Sequence, residues 1–134
     1  MVSLALIALL CPVNVFAKDD NIKYSLDILE WQKNAKVKNG RYRQTKDINN
    51  KWKVQLQSTT EGAGNGNDNI TVFWLEGSND ENVTTTVSAK QGKSVYYTPA
   101  YSSASERTVY LTAEDNRITF STYHVEGIWD EETK

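Results

Sequence analysis

The pattern of apolar and polar positions predicts a chain made of short β-strands. Residues 22–28 and 51–57 alternate without interruption, and the second stretch predicts a strand with one face in water. Residues 70–75 form a short, almost wholly apolar run rich in β-branched and aromatic side chains, which predicts a central strand buried on both faces. A helix over residues 25–38 competes with the first strand, but its apolar face is thin.

Turn signals separate these strands from further ones predicted at residues 42–45, 83–89, 94–98, 108–113 and from 118 onward. Asn39-Gly40 is a strong turn dipeptide, residues 61–69 are rich in Gly, Asn and Asp, and Pro99 ends a strand. Short strands with turns every eight to twelve residues are typical of all-β folds. The sequence therefore predicts a single small antiparallel β-sandwich of about seven or eight strands.

The end of the chain carries two more specific predictions. Asp115-Asn116 suits a two-residue hairpin connection, because both residues tolerate positive φ. The last strand begins with Ile118 and Phe120 on the inward side, but Tyr123 takes that side later. This change of phase predicts a β-bulge near Thr122.

The first seventeen residues carry no charged side chain and are too few to span a bilayer. Ala17, with Val15 two positions before it, fits a signal-peptidase site. We therefore expect residues 1–17 to be a signal peptide and residues 18–134 to be a secreted all-β domain without a transmembrane segment. A buried N-terminal strand or helix is the alternative. The one cysteine, Cys11, lies in this segment, so the mature chain would have neither disulfides nor thiolate metal sites.

Charge is unevenly distributed along the chain. Residues 33–53 hold eight basic side chains and one acidic side chain, a net charge of +7, and since the chain carries −2 the remainder carries −9. The segment also holds aromatic residues, which suits an anionic polymer or lipid surface. The candidate contacts for such a ligand are Arg41, Tyr42, Arg43, Lys46, Lys51 and Lys53.

Two other interpretations of this basic segment remain open. The lysines can simply solvate a loop while Trp52 enters the core. The acidic stretch at residues 129–132 can also dock on the basic segment as an internal partner. Nucleic acid is not expected, given the export signal and the pI of about 5.4.

Four tryptophans and seven tyrosines are many for a chain of this size. Exposed rings in a row are typical of carbohydrate-binding β-sandwiches. The rings that the sequence leaves outside the core are Tyr96, Tyr97 and Tyr101, beside Pro99.

Catalytic and metal chemistry finds little support in the sequence. Residues 63–71 approach a calcium-binding nonapeptide, with oxygen ligands at Asn65, Asn67 and Asp68, but it occurs once whereas such sites need stacked repeats. The acidic pairs fall in turns or the tail, so we interpret them as solvated rather than as a glycosidase pair. His124, the only histidine, lacks a nucleophile-elbow motif and is expected on the sandwich surface. We expect no enzyme and no cofactor.

Several short motifs in a fixed order resemble a family of small secreted Gram-positive proteins that contain a domain of unknown function. They are Arg41-Tyr42-Arg43-Gln44-Thr45, Trp52-Lys53-Val54, Phe73-Trp74-Leu75, Tyr96-Tyr97, residues 111–116 and residues 125–132. The resemblance implies export and a small β-sandwich, and it implies no catalytic residues. Size and aromatic-rich strands give a fainter likeness to lactococcin-type bacteriocins.

These observations lead to an expected function. We expect a monomeric, secreted, non-enzymatic β-sandwich that acts at the cell envelope through residues 33–53, on an anionic wall polymer or lipid surface. A carbohydrate-binding module and a bacteriocin-like antimicrobial protein are the alternatives.

Overall fold

Two antiparallel β-sheets pack face to face in the computed structural model, which describes residues 19–62 and 68–134. The all-β prediction is confirmed. The predicted signal segment, and Asn65 and Asn67 of the calcium candidate, lie outside the described residues. None of the described segments forms a helix long and apolar enough to cross a bilayer.

The first sheet has the strand order β1-β9-β4-β7. Its strands are β1 (Ile22–Ile28), β4 (Trp52–Thr59), β7 (Tyr96–Thr98) and β9 (Tyr123–Asp130). A shift of register between Leu56 and Ser58 places a β-bulge in β4, opposite β9.

The second sheet has the order β2-β8-β5-β6, with β3 pairing to β8 beside β2. Its strands are β2 (Ala35–Lys36), β3 (Arg41–Arg43), β5 (Ile70–Gly77), β6 (Val87–Lys90) and β8 (Arg107–Asp115). The nine strands of the described chain exceed the predicted seven or eight because β2 and β3 are very short. Two 3₁₀ turns, Glu30–Gln32 and Ser102–Ala104, lie in connections.

The core fills the space between the sheets, as the alternation predicted. β4 contributes Trp52, Val54 and Leu56, and the predicted central strand β5 contributes Phe73 and Leu75, all fully buried. Apolar side chains of β1, β8 and β9 pack with them in the same core: Tyr24, Leu26, Ile28, Val109, Leu111, Val125 and Trp129.

The predicted hairpin at Asp115-Asn116 is wrong, because β8 and β9 belong to different sheets. Residues 116–122 instead cross from one sheet to the other. Alternation cannot reveal this, since an inward-facing side chain looks the same in either sheet of a sandwich.

The predicted bulge near Thr122 is also wrong, and so are the inward positions of Ile118 and Phe120. These two side chains are 61% and 71% exposed, and the last strand begins only at Tyr123. From there Tyr123, Val125 and Trp129 alternate inward without a change of phase.

Candidate functional site

Residues near both ends of the described chain contact the basic segment, residues 33–53. Arg43 is 1% exposed and donates to the backbone carbonyl oxygens of Glu131, Asp47 (3.1 Å) and Asn50 (2.5 Å). Three carbonyl acceptors on one guanidinium fix the loop after β3 to the C-terminal residues. Arg43, a candidate contact for an anionic ligand, is therefore enclosed by its own chain.

Arg41 and Lys53 are engaged in the same region. Arg41 forms ion pairs with Glu131 and, at 3.2 Å, with Asp20. Lys53 belongs to the predicted wet face of β4, yet it is 4% exposed and bonds Asp19 and the side chain of Asn21 (2.8 Å). That prediction is wrong at Lys53, because the residues preceding β1 cover it.

The acidic stretch is buried rather than solvated, which corrects the sequence interpretation. Asp130, Glu131 and Glu132 are at most 5% exposed. Glu132 accepts hydrogen bonds from the backbone N–H groups of Gln44 (3.2 Å) and Thr45 (2.9 Å). Burial raises the pKa of Asp130 to about 7. These contacts agree with the interpretation in which the acidic stretch at residues 129–132 docks on the basic segment of the same chain.

The remaining cationic and tyrosine candidates lie on the surface. Lys51 and Tyr97 come together in a cavity of about 340 Å³ that we name the tail cavity, lined by Asn49, Lys51, Tyr97, Thr133 and Lys134. Lys46 is exposed and lies 3.5 Å from Glu106.

The three predicted tyrosines do not form one row: Tyr97 and Tyr101 are about half exposed, while the Tyr96 hydroxyl accepts the backbone N–H of Lys90. Tyr42 is 54% exposed.

A larger cavity of about 450 Å³ lies at the opposite end of the sandwich, where connections cross between the sheets. β9 runs from this end to the acidic stretch, so the two regions are roughly 23 Å apart at 3.3 Å per residue. We name it the end pocket; it is lined by Thr60, Glu61, Asp115, Arg117, Ile118, Thr119, Phe120, Ser121, Thr122 and Tyr123.

Two carboxyl groups lie in the end pocket with little access to water. Asp115 is 2% exposed and the Glu61 side chain 5%. Burial raises the pKa of both carboxyl groups, and the charge of Asp115 raises that of Glu61 further. Among the described residues, no hydrogen-bond donor reaches Asp115 Oδ1. The Asp115 carboxyl group nevertheless accepts hydrogen bonds from the Tyr123 side chain and from the backbone N–H groups of Asn116 and Arg117, and Oδ1 itself has almost no accessible surface. Asp115 therefore belongs to the wall of the pocket and helps to hold its lining together.

Further polar groups surround these carboxyl groups. Arg117 lies 3.7 Å from Glu61 and 3.5 Å from Asp68, and Asn116 donates to Asp68 at 2.8 Å. Burial raises the pKa of the Tyr123 hydroxyl, which therefore stays a neutral group. Within the described chain no set of three or more His, Cys, Asp or Glu side chains is arranged to hold a metal ion.

Exposed aromatic rings stand at the rim of the end pocket. Phe120 meets Trp31 edge to face, with ring centroids 4.9 Å apart, and Trp31 is 55% exposed. Trp31 and Gln32 have φ values of 61° and 52°, a region that bulky residues rarely adopt. The strain is offset by hydrogen bonds from Trp31 N to Thr119 O (2.9 Å) and from Gln32 Nε2 to Asp115 O (3.3 Å).

His124 lies on the outer face of the first sheet, as expected. Its Nδ1 is 2.7 Å from Asp27 and its Nε2 is 2.9 Å from the Ser25 hydroxyl, the order of contacts found in serine hydrolases. The bond to Asp27 raises the pKa of His124, which favours the protonated ring over a general base, and Glu126 lies 3.4 Å from Nε2. Ser25 and Asp27 are both exposed, and we assign this cluster to the sheet surface.

The sequence pattern does not predict the end pocket. The sequence pattern predicts Phe120 on the inward side of a strand and Asp115 in a hairpin turn, and it predicts no site at Trp31. The available signal was the pair Ile118 and Phe120 between Asp115 and Tyr123: two apolar side chains out of phase with the strand that follows mark a connection.

Comparison with known proteins gives one family match. No curated protein and no solved structure matches the chain. A family model described as "Protein of unknown function (DUF2712)" matches residues 12–133, nearly the whole chain. The expected resemblance to a family containing a domain of unknown function is confirmed to that extent. The chain belongs to the DUF2712 family of proteins of unknown function.

Proposed function

We propose that this protein is a secreted glycan-binding β-sandwich that acts at the cell envelope, with the end pocket as its binding site. Of the functions expected from the sequence, we favour carbohydrate binding over binding of an anionic ligand by residues 33–53. The sugar contacts the end pocket rather than Tyr96, Tyr97 and Tyr101. The observation that carries it is a polar cavity of about 450 Å³ whose lining includes the exposed ring of Phe120, held edge to face against the exposed ring of Trp31.

The polar lining of the pocket suits a ligand with many hydroxyl groups. Arg117 offers N–H donors, and the hydroxyl groups of Thr60, Thr119, Ser121 and Thr122 offer both donors and acceptors. Such a lining can exchange hydrogen bonds with the hydroxyl groups of a sugar.

The aromatic rim suits the apolar face of a sugar ring. Trp31 and Phe120 present large exposed surfaces, and their edge-to-face contact holds them in place. A strained backbone at Trp31 that keeps an indole in solvent is a further sign of function. The cavity volume of about 450 Å³ lies within the range of small-ligand sites.

The basic segment supports an external ligand less well. Arg41, Arg43 and Lys53 contact acidic groups or carbonyl oxygens of the same chain. These contacts engage three of the five candidate cations within the protein itself. Export rests on the composition of residues 1–17, as argued from the sequence.

Retention of the purified protein on immobilised envelope polysaccharides, at low and high salt, tests the proposal. We expect salt-insensitive retention that falls at least about fivefold in Phe120→Ala and in Trp31→Ala, since stacking on an aromatic ring contributes about 1 kcal/mol or more. Both side chains are more than half exposed, so the fold should survive their truncation.

Tyr97→Ala provides the matched control, because Tyr97 is an exposed ring outside the end pocket. Retention should be unchanged in this variant. Loss of binding in Tyr97→Ala with full binding in Phe120→Ala would contradict the assignment and restore the tyrosine surface predicted from the sequence.

The tail cavity supports a second candidate, recognition of an anionic envelope polymer. Lys51 and Lys134 flank the exposed ring of Tyr97 there, which combines cations with an aromatic platform. Binding of this kind weakens steeply as salt rises. Lys51→Ala should weaken it, whereas Phe120→Ala should not; the absence of binding to a purified anionic polymer at low salt would end this candidate.

A further inference from the structure

We infer that the protein pairs with a second copy of itself along the free edge of β1 (Ile22–Ile28), as a symmetric dimer in which the first sheet continues from one copy into the other. A dimer replaces the monomer expected from the sequence. The interface lies apart from the end pocket, so glycan binding does not depend on it.

Strand β1 is a long and regular edge strand. In the order β1-β9-β4-β7 it has one neighbour, and it pairs with that neighbour along its full 7 residues without a shift of register. It contains no Pro and no Gly, whereas the strand at the opposite edge, β7, has only 3 residues. Natural edge strands are usually short, bulged or covered. An edge such as β1 is a template for a further strand.

The backbone groups of Lys23, Ser25 and Asp27 point to the free side of β1. His124 lies opposite Asp27 on β9, and both its N–H and its C=O bond Thr60, on the far side of β9 from β1. In an antiparallel pair, opposite residues either bond each other or both point away, and the two kinds alternate along the strands. Asp27 therefore points away from β9, and so do Ser25 and Lys23. Among residues 19–62 and 68–134, no backbone group outside the β1–β9 pair bonds these three residues.

The exposed face of β1 is complementary to an antiparallel copy of itself. With Ser25 on the symmetry axis, the whole strand is paired, and Lys23 lies opposite Asp27 of the second copy. Opposite charges then face each other twice across the interface, at residues that are exposed in the single chain. In the same register the residues with outward backbone groups meet, and each such pair exchanges two hydrogen bonds.

The inner face of β1 suits the same register. Tyr24 and Leu26 keep 5% and 7% exposure at the edge of the core. The symmetry sets Tyr24 opposite Leu26 of the second copy, in a pair without backbone hydrogen bonds, where side chains approach most closely. Charge and apolar matching both follow from the sequence of β1 alone. A second copy is therefore favoured over an unrelated extended peptide.

The symmetry separates the two end pockets. Tyr123, which lines the end pocket, pairs with Ile28, so the pocket lies at that end of β1. In the dimer Ile28 lies beside Ile22 of the second copy, and the two pockets are at opposite ends of the shared sheet. Under the proposed glycan-binding function, such a dimer holds two separate glycan chains together.

Sedimentation velocity of the purified protein over a dilution series tests the dimer. We expect the mass of a dimer at high concentration and that of a monomer on dilution. Lys23→Asp sets like charges opposite each other twice and should raise the dissociation constant of the dimer at least about fivefold. Lys90→Asp makes the same change of charge at an exposed position on β6, the edge of the second sheet, and should leave the constant unchanged.

Exchanging the two charges tests the register. Asp27→Lys alone should weaken the dimer as Lys23→Asp does, and the double variant Lys23→Asp/Asp27→Lys should restore the dissociation constant to within about threefold of the unmodified protein. These measurements are made at about pH 8, because the ring of His124, which contacts Asp27, is mostly neutral beside a lysine at that pH.

A proline on the symmetry axis gives an independent test. Ser25→Pro removes the central N–H donor of the interface, and Pro is tolerated on an edge strand where the N–H points away from the sheet. This variant should remain a monomer at concentrations where the unmodified protein is a dimer.

Hydrogen exchange followed by NMR locates the interface. The amides of Lys23, Ser25 and Asp27 should exchange at least about tenfold more slowly in the dimer than in the dilute monomer. The amides of Tyr24 and Leu26, which bond β9, should be protected at both concentrations.

Two results would overturn the inference. One is a monomer at every concentration of the unmodified protein. The other is a dimer that is insensitive to Lys23→Asp and Ser25→Pro and in which the amides of Lys23, Ser25 and Asp27 still exchange fast, since such a dimer uses another surface. Neither result affects the end pocket as a glycan site.

Discussion

The guanidinium group of Arg43 donates a hydrogen bond to the backbone carbonyl oxygen of Glu131, and both side chains are buried. The two residues are 88 positions apart in the sequence. This contact ties the loop after β3 to the end of β9, and it makes Arg43 part of the packed interior.

Replacing Arg43 by alanine should destabilise the fold strongly. The carbonyl oxygens of Glu131, Asp47 and Asn50 would lose their donor, and each buried acceptor left without one costs about 1–3 kcal/mol. We expect urea denaturation to show a loss of more than about 2 kcal/mol in the free energy of unfolding. Lys46→Ala, at an exposed position nearby in sequence, should change it by less than about 0.5 kcal/mol. Equal stability of the two variants would refute a structural role for Arg43.

Gly127 should not tolerate a side chain. A Cβ atom there would lie 1.9 Å from the backbone oxygen of Gln55 and 2.7 Å from the Tyr24 hydroxyl, which itself donates to Gln55 O at 3.0 Å. Gly127→Ala should therefore push β9 away from β4 and lower the thermal midpoint by several degrees, since about 1 kcal/mol shifts it by roughly 4–8 °C in a small domain. Gln57→Ala, an exposed change on β4, is the control; a Gly127→Ala protein as stable as this control would refute the close approach of β9 to β4.

Asp130 should make stability depend on pH. Burial raises the pKa of Asp130 to about 7, above its ordinary value near 3.8, so the native state holds the proton more tightly than the unfolded chain. Its contribution is present in full below about pH 4 and is lost as pH rises to about 7. Relative to Asp130→Asn, the unmodified protein should gain stability as pH falls through this window, by up to about 1.4 kcal/mol per unit. A pH-independent difference between the two would contradict the burial of this carboxyl group.

His124 should titrate above its usual range because Asp27 accepts a hydrogen bond from the ring. A raised pKa means that the stabilising contact is complete below about pH 6.5 and disappears as pH rises through the pKa of the folded protein. NMR titration of the ring protons should show a lower pKa in Asp27→Asn than in the unmodified protein. Asp47→Asn, at an exposed carboxyl elsewhere, should leave the His124 pKa unchanged; a similar effect of both changes would exclude a specific contact.

Much of the fold followed from periodicity, since core strands carry their signal locally. Trp52, Val54 and Leu56 alternate inward because one face of β4 packs on the core. The partner of each strand depends on residues far apart in sequence, so the same pattern could not tell that β8 and β9 belong to different sheets.

The candidate site was harder to predict for a related reason. Lys53 and Arg43 occupy polar positions of the pattern, yet Asp19 and the C-terminal residues cover them. Similarly, Asp115 looked like a turn residue, and its burial depends on the connections that close over it. Contacts between charged side chains that are far apart in sequence do not change the local alternation of apolar and polar residues, so that pattern cannot predict them.

The indole N–H signals of the four tryptophans offer the most direct test of glycan binding at the end pocket. Trp31 is 55% exposed at the rim, whereas Trp52, Trp74 and Trp129 are at most 4% exposed. On titration with an envelope saccharide that retains the protein, we predict a saturating shift of the Trp31 signal while the other three signals stay in place, and no such shift in Phe120→Ala at the same concentrations. An unmoved Trp31 signal when an envelope saccharide is shown to bind would contradict the end pocket as the binding site.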